Sequence, residues 1–186
     1  MFSDPFSRAQ LSYLALGDSY TIGEGVDVAG RWPVQLAAAL RTHGIAIADP
    51  RIIATTGWTT DELWAAMDAA EPLGAWDFVS LLIGVNNQYR GRDVEEYRTQ
   101  FAALLWRAIG FAGNRPDRVL VLSIPDWGVT PFGAKSGRDA AQIARELDAY
   151  NLAAREACTQ RGVAFVDITP VSRARGAEPA MVADDG

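Results

Sequence analysis

Five short apolar runs rich in leucine or β-branched residues alternate along this chain with four longer segments in which apolar residues recur every three or four positions. The runs are LSYLALG (11–17), RIIAT (51–55), DFVSLLIG (77–84), RVLVLSI (118–124) and VAFVDI (163–168), and their length and composition predict strands. The intervening segments 31–43, 60–71, 93–112 and 137–161 predict helices, several ending at a glycine suited to a helix C-cap. Strands that are apolar without alternation are buried on both faces, and right-handed crossovers place the connecting helices on those faces. The pattern therefore predicts an α/β chain, a three-layer α/β/α sandwich around a five-stranded, mostly parallel sheet. With 186 residues, 49% of them hydrophobic, a single domain over 1–186 has enough apolar material for its core. No repeat, low-complexity tract or linker divides it.

Charge and cysteine usage narrow the functional classes. A net charge of -6 without a lysine and arginine cluster argues against nucleic acid and against anionic membrane surfaces as partners. Cys158 is the single cysteine, so disulfide frameworks and thiolate metal sites are out of reach, and its amphipathic segment favours a buried structural thiol over a reactive one. The first seventeen residues lack the basic and apolar regions of a signal peptide, and no run is long enough to span a bilayer. A cytoplasmic protein is the default expectation, although a mature chain stripped of its signal looks the same.

In an open parallel sheet, ligands bind outside the carboxyl ends of the strands. Four of those five places carry glycine or polar residues in suggestive combinations: Gly17-Asp18-Ser19-Tyr20, Gly57-Trp58-Thr59-Thr60, Gly84-Val85-Asn86-Asn87 and Pro125-Asp126-Trp127-Gly128. Each has an ordinary reading, since a serine can cap a helix and a glycine serves wherever the backbone needs positive φ. Their joint occurrence, each past a strand and in this order, is harder to attribute to turn chemistry alone.

Leu16-Gly17-Asp18-Ser19-Tyr20 resembles the first block of the GDSL/SGNH hydrolases, Gly57 the lone glycine of their second block, and Gly84-Val85-Asn86-Asn87 the third, in which Asn87 stands where the family often has aspartate. The resemblance covers nearly the whole chain and implies the SGNH version of a flavodoxin-like sandwich. It implies a serine esterase or acylhydrolase acting through an acyl-enzyme on small acyl esters, lysophospholipids or acylated sugars, without a cofactor. Ser19 would be the nucleophile. The backbone N–H groups of Ser19 and Gly57 and the side-chain amide of Asn86 would form the oxyanion hole, where fixed donors stabilise charge developing on the carbonyl oxygen.

A serine hydroxyl also needs a base within hydrogen-bond reach. His43 is the only histidine, and it falls at the end of a predicted helix whose start is on the site edge, about 15 to 20 Å away at 1.5 Å per residue. The family's closing Asp-x-x-His block would make Asp185 the triad aspartate and put its histidine two positions beyond Gly186, so the expectation is that the chain stops short of its base and of the family's last helix. Asp184 and Asp185 read alternatively as a solvated acidic tail. Around the site, Trp58 and Trp127 are candidates for an apolar or sugar-stacking wall, Asp18 for holding the turn, and Asn87, Gln88, Tyr89 and Arg90 for cleft lining or exposed loop, with Arg90 suited to an anionic group. No metal-ligand spacing, GxGxxG, Walker A or G-x-S-x-G pattern follows a strand. A non-catalytic carbohydrate- or lipid-binding domain on the same fold is the alternative reading. A nucleotide-binding domain ranks below it, because Asp18 would repel phosphate. Oligomeric state is left open.

Overall fold

Residues 10–183 are described by a computed structural model. Its five strands are β1 (Tyr13–Gly17), β2 (Arg51–Ala54), β3 (Phe78–Leu82), β4 (Val119–Leu122) and β5 (Ala164–Val166), all parallel, in the order β2-β1-β3-β4-β5. The four long helices fall in the predicted segments: α2 (Trp32–Thr42), α3 (Thr60–Ala70), α5 (Val94–Phe111) and α7 (Ala140–Arg161). Four short ones fall where the sequence pattern reads as loop: α1 (Ser19–Ile22), α4 (Val85–Tyr89), α6 (Pro131–Lys135) and α8 (Thr169–Arg175). Elements of four to seven residues complete at most two turns, too few for a 3.6-residue periodicity to register.

One sheet face carries the larger core. Leu14, Leu16, Val79, Leu81, Val119 and Val121 point there and meet Leu63 and Met67 of α3, Phe101 and Leu105 of α5, and Ile143 and Leu147 of α7. On the other face, Tyr13 and Ala15 pack against Ala37, Leu36 and Leu40 of α2, and the Tyr13 hydroxyl is 2.9 Å from the Ser80 hydroxyl. That face thins toward the β4–β5 edge, where Leu120 and Leu122 are half-buried and Val166 is exposed. Cys158 is fully buried in the larger core, and burial pushes its thiol up to about 12, as expected for an unreactive packing residue. Among the described residues, no helix is long and apolar enough to cross a membrane.

Candidate active site at the switch between β1 and β3

The chain leaves β1 for β2 on one side and returns to β3 on the other, so the sheet order reverses between β1 and β3. Loops leaving two such strands diverge, and a crevice opens between them. Ser19 opens α1 directly after β1, and Asn86 is the second residue of α4 directly after β3. Both line a cleft of about 650 Å³ whose other walls come from Pro125, Trp127 and Phe132 after β4 and from Ile168, Val171 and Ser172 at α8.

Asp18 fixes the start of α1. Its side chain accepts a hydrogen bond from the Tyr20 N–H at 3.1 Å, capping the four-residue helix that begins with Ser19. The first N–H groups of a helix have no intrahelical acceptor, so α1 itself does not take up the amide of Ser19, its first residue. Asp18 is wholly buried, and burial drives its carboxyl up to about 7 against the opposing pull of the Tyr20 and Gly84 amides. Asp18 Oδ2 and the buried Thr21 Oγ1 have no hydrogen-bond partner among the described residues.

Gly84 opens α4 at φ +131°, and a Cβ there would lie 2.6 Å from the Tyr97 ring. Conformation and space both require glycine, and the tight packing places Asn86 at the crevice. One Asn86 side-chain N–H donates to the Trp58 carbonyl at 2.9 Å. A primary amide has two such donors, so one anchors the side chain while the second remains for the cleft.

The loop after β2 is a tight turn. The Trp58 N–H donates to the Thr55 carbonyl at 3.3 Å, Gly57 has φ +87°, and Thr56 has negative φ; this is a type II turn with glycine at its third position. The space around Gly57 is open, with only the tip of Arg90 3.8 Å from where a Cβ would sit. Glycine is thus demanded by the turn conformation. Asn87, buried, holds the end of the same loop: its Oδ1 accepts from the Thr60 N–H at 3.1 Å and its Nδ2 donates to Thr60 Oγ1 at 2.7 Å. Arg90 donates to the Gly57 carbonyl at 2.6 Å and contacts Glu62 at 3.4 Å, so its guanidinium is engaged within the protein.

Trp127 forms the buried wall of the cleft. It sits in a 3-10 turn capped by Asp126, donates from Nε1 to Gln88 Oε1 at 2.9 Å, and packs against Tyr89 and Phe132 with ring centroids 5.4 and 5.7 Å away. Arg138 lies over its ring at 5.3 Å. Trp58 instead is half-buried against the main core and is not among the cleft-lining residues. The sequence reading overlooked α8. Its Ser172 Oγ accepts from the Asp126 N–H at 2.8 Å, and its Arg173 pairs with the buried Asp126 carboxylate at 2.8 Å. The only local sign is Thr169-Pro170, a proline suited to the first turn of a helix.

His43 is exposed at the C-cap of α2, where its Nδ1 meets the Ala39 carbonyl at 2.9 Å, and it does not line the cleft. Asp185 lies outside the described residues; Ala183, two positions earlier, lines the cleft.

A family model described as the GDSL-like lipase/acylhydrolase family matches residues 15–186. The chain belongs to that family. No curated protein matches this GDSL-family chain significantly in sequence. Among solved structures, AlinE4, an SGNH-hydrolase family esterase, superposes with a TM-score of 0.69 at 22% identity, over 96% of this chain and 86% of that one. TesA gives 0.68 at 21% identity, covering 94% and 87%. Phospholipase A1 from Streptomyces albidoflavus NA297 gives 0.64 at 20% identity, covering 88% and 82%. At these identities the likeness is one of fold, and it agrees with the parallel sheet flanked by helices.

Proposed function

We propose that this GDSL-family protein is a serine esterase that cleaves carboxylic esters through an acyl-enzyme. The observation that carries the reading is the pairing of Ser19 and Asn86 on adjacent strand ends of one cleft. Ser19 Oγ attacks the ester carbonyl, its proton passes to a base, and the alcohol leaves with a proton returned by that base; water then repeats the sequence on the acyl-serine. The oxyanion is met by the N–H groups of Ser19 and Gly57 and by the free N–H of Asn86, donors whose directions are set before substrate arrives. Asp185 is the carboxylate that orients the base, a role suited to a residue two positions from the cleft-lining Ala183. The family's closing Asp-x-x-His motif would supply the base as a histidine outside these 186 residues; His43 does not line the cleft.

The cleft walls favour an apolar acyl or alkyl group against Trp127, Phe132 and Val171. Among the described residues no lysine or arginine lines the cleft, while Glu24 does. A neutral ester suits this lining better than a lysophospholipid phosphate. The test is intact-mass spectrometry after incubation with a fluorophosphonate, which phosphonylates activated serines. One adduct that disappears in Ser19→Ala is expected of the protein that carries the histidine of the closing Asp-x-x-His motif, and little or none of the 186 residues alone, which lack that base. An unmodified mass, together with ligand binding unchanged by Ser19→Ala, would instead favour a non-catalytic lipid- or carbohydrate-binding domain.

A further inference from the structure

The strand order gives the cleft two unlike flanks. Ser19 follows β1 and Asn86 follows β3; the loop leaving β2 lies beyond Ser19 on one side, and the loop leaving β4 lies beyond Asn86 on the other. Three strand spacings separate those outer loops, about 14 Å, which leaves room for a group on each side of an ester carbonyl held at Ser19. The β4 flank is apolar: Trp127 and Phe132 line it, with Val171 and Met181 adding to the same cleft from α8 and the segment after it. On the β2 flank the lining residues are Thr56 and Glu24.

Glu24 is brought to that flank by the turn that ends α1. Its N–H donates to the Ser19 carbonyl at 3.1 Å, and Gly23 before it is the left-handed C-cap of the helix at φ +71°. The Thr56 hydroxyl donates to its carboxylate, which forms no salt bridge with a described residue. The other charges around the cleft are matched within the protein. Asp126, also in the wall, is buried and pairs with Arg173 at 2.8 Å; Arg138, over the Trp127 ring, pairs with Glu146 at 3.0 Å. Among the described residues, Glu24 is thus the one charge lining the cleft without a salt-bridge partner.

We propose that Glu24 is a specificity-determining residue that makes the cleft select esters with an apolar chain on one side of the carbonyl and an ammonium group on the other. The inference rests on the proposed esterase reading for its catalytic meaning and on the cleft alone for its ligand chemistry. The apolar flank supplies most of the affinity through the area it removes from water. The acidic flank supplies discrimination: it repels an anion, tolerates a neutral group and attracts a cation. Glu24 is exposed, and an exposed carboxylate holds a cation only modestly, so the result is a several-fold preference and not an absolute requirement.

The test is isothermal titration calorimetry at low ionic strength with three probes that share one tail, octyltrimethylammonium, octyl glucoside and octyl sulfate, each below its micelle concentration. The ammonium probe should bind about 10-fold more tightly than the sulfate. In Glu24→Gln, which keeps an acceptor for Thr56, the ammonium affinity should fall about 5-fold while the glucoside stays within about 2-fold of wild type. Asp117→Asn removes the same charge from the opposite edge of the sheet, ahead of β4, and should leave all three affinities in place. Phe132→Ala should weaken all three probes alike, since it touches only the shared tail. An ammonium affinity indifferent to Glu24→Gln overturns the proposal, as does a sulfate that binds as well as the ammonium or a failure of all three probes to bind. Equal losses in Glu24→Gln and Asp117→Asn would assign the preference to net charge, and indifference to Phe132→Ala would place the probes outside the cleft; either result also overturns it. None of these affinities requires turnover, so the labelling of Ser19 by a fluorophosphonate decides the esterase reading separately.

Discussion

The Asn86 amide donates to the Trp58 carbonyl at 2.9 Å, so the loop leaving β3 and the loop leaving β2 are joined across the end of β1. The same side chain that would meet an oxyanion also ties the flanking loop in place. Replacing it with alanine removes a donor from the cleft and a partner from a carbonyl. The expected result for Asn86→Ala is a kcat about 100- to 1000-fold lower, with a stability loss of only about 1 kcal/mol. Ester-hydrolysis kinetics alongside urea denaturation check it, and a kcat within a few-fold of wild type would remove Asn86 from the oxyanion hole.

Gly57→Ala separates conformation from crowding. No protein atom lies within 3.8 Å of the added Cβ, so the cost comes from positive φ, about 1 to 2 kcal/mol for an L-residue. The chain can relieve that cost by turning the Thr56–Gly57 peptide over, which carries the amide away. We expect a folded protein with modestly lower stability and a far larger loss in kcat. Comparing the urea midpoint with kcat decides this, and an alanine variant of near wild-type kcat would show that the Gly57 amide is dispensable.

Asp18 gives the protein a pH dependence of unusual sign for a carboxylate. Its folded pKa of about 7 lies above the unfolded value near 3.9, so between these the native state binds more protons than the unfolded state. Stability from this group is fully present below about pH 4 and declines as pH rises toward 7, by an upper bound of about 4 kcal/mol. Asp61, Glu62, Asp77, Glu146 and Asp167 have lowered pKa values and act oppositely, losing their contribution only in more acidic solution. Asp18→Asn should flatten the thermal midpoint between pH 5 and 8 relative to wild type. Parallel profiles for the two proteins would mean that Asp18 is ionised throughout this range.

Trp127 is buried with its indole N–H satisfied by Gln88, and it backs the cleft through Tyr89 and Phe132. Trp127→Phe keeps most of the apolar wall and strands Gln88 Oε1, at a cost of about 1 to 3 kcal/mol. Its effect on catalysis should depend on acyl length: little change for acetyl esters and a raised KM for longer chains that reach the wall. Kinetics on a p-nitrophenyl ester series measure this. A uniform change across the series would place the acyl group elsewhere.

The strand runs, the parallel sheet and the four long helices were legible because burial on a sheet or along a helix face imposes a period on the sequence, and that period survives in Leu14, Leu16, Val79 and Leu81 or in Ile143, Leu147 and Tyr150. The site blocks were legible because Ser19, Gly57 and Asn86 each stand just past a strand, and a parallel sheet sends all such ends to one edge. What the sequence could not determine is how those blocks address one another. That Arg90 grips Gly57, that Asn87 bolts α4 to α3, that Trp58 packs into the core while Trp127 walls the cleft, and that α8 braces Asp126 all depend on residues distant in the chain. Such contacts leave no local period, because each joins one side chain to one backbone or polar atom whose position exists only after the strand order has closed the sheet.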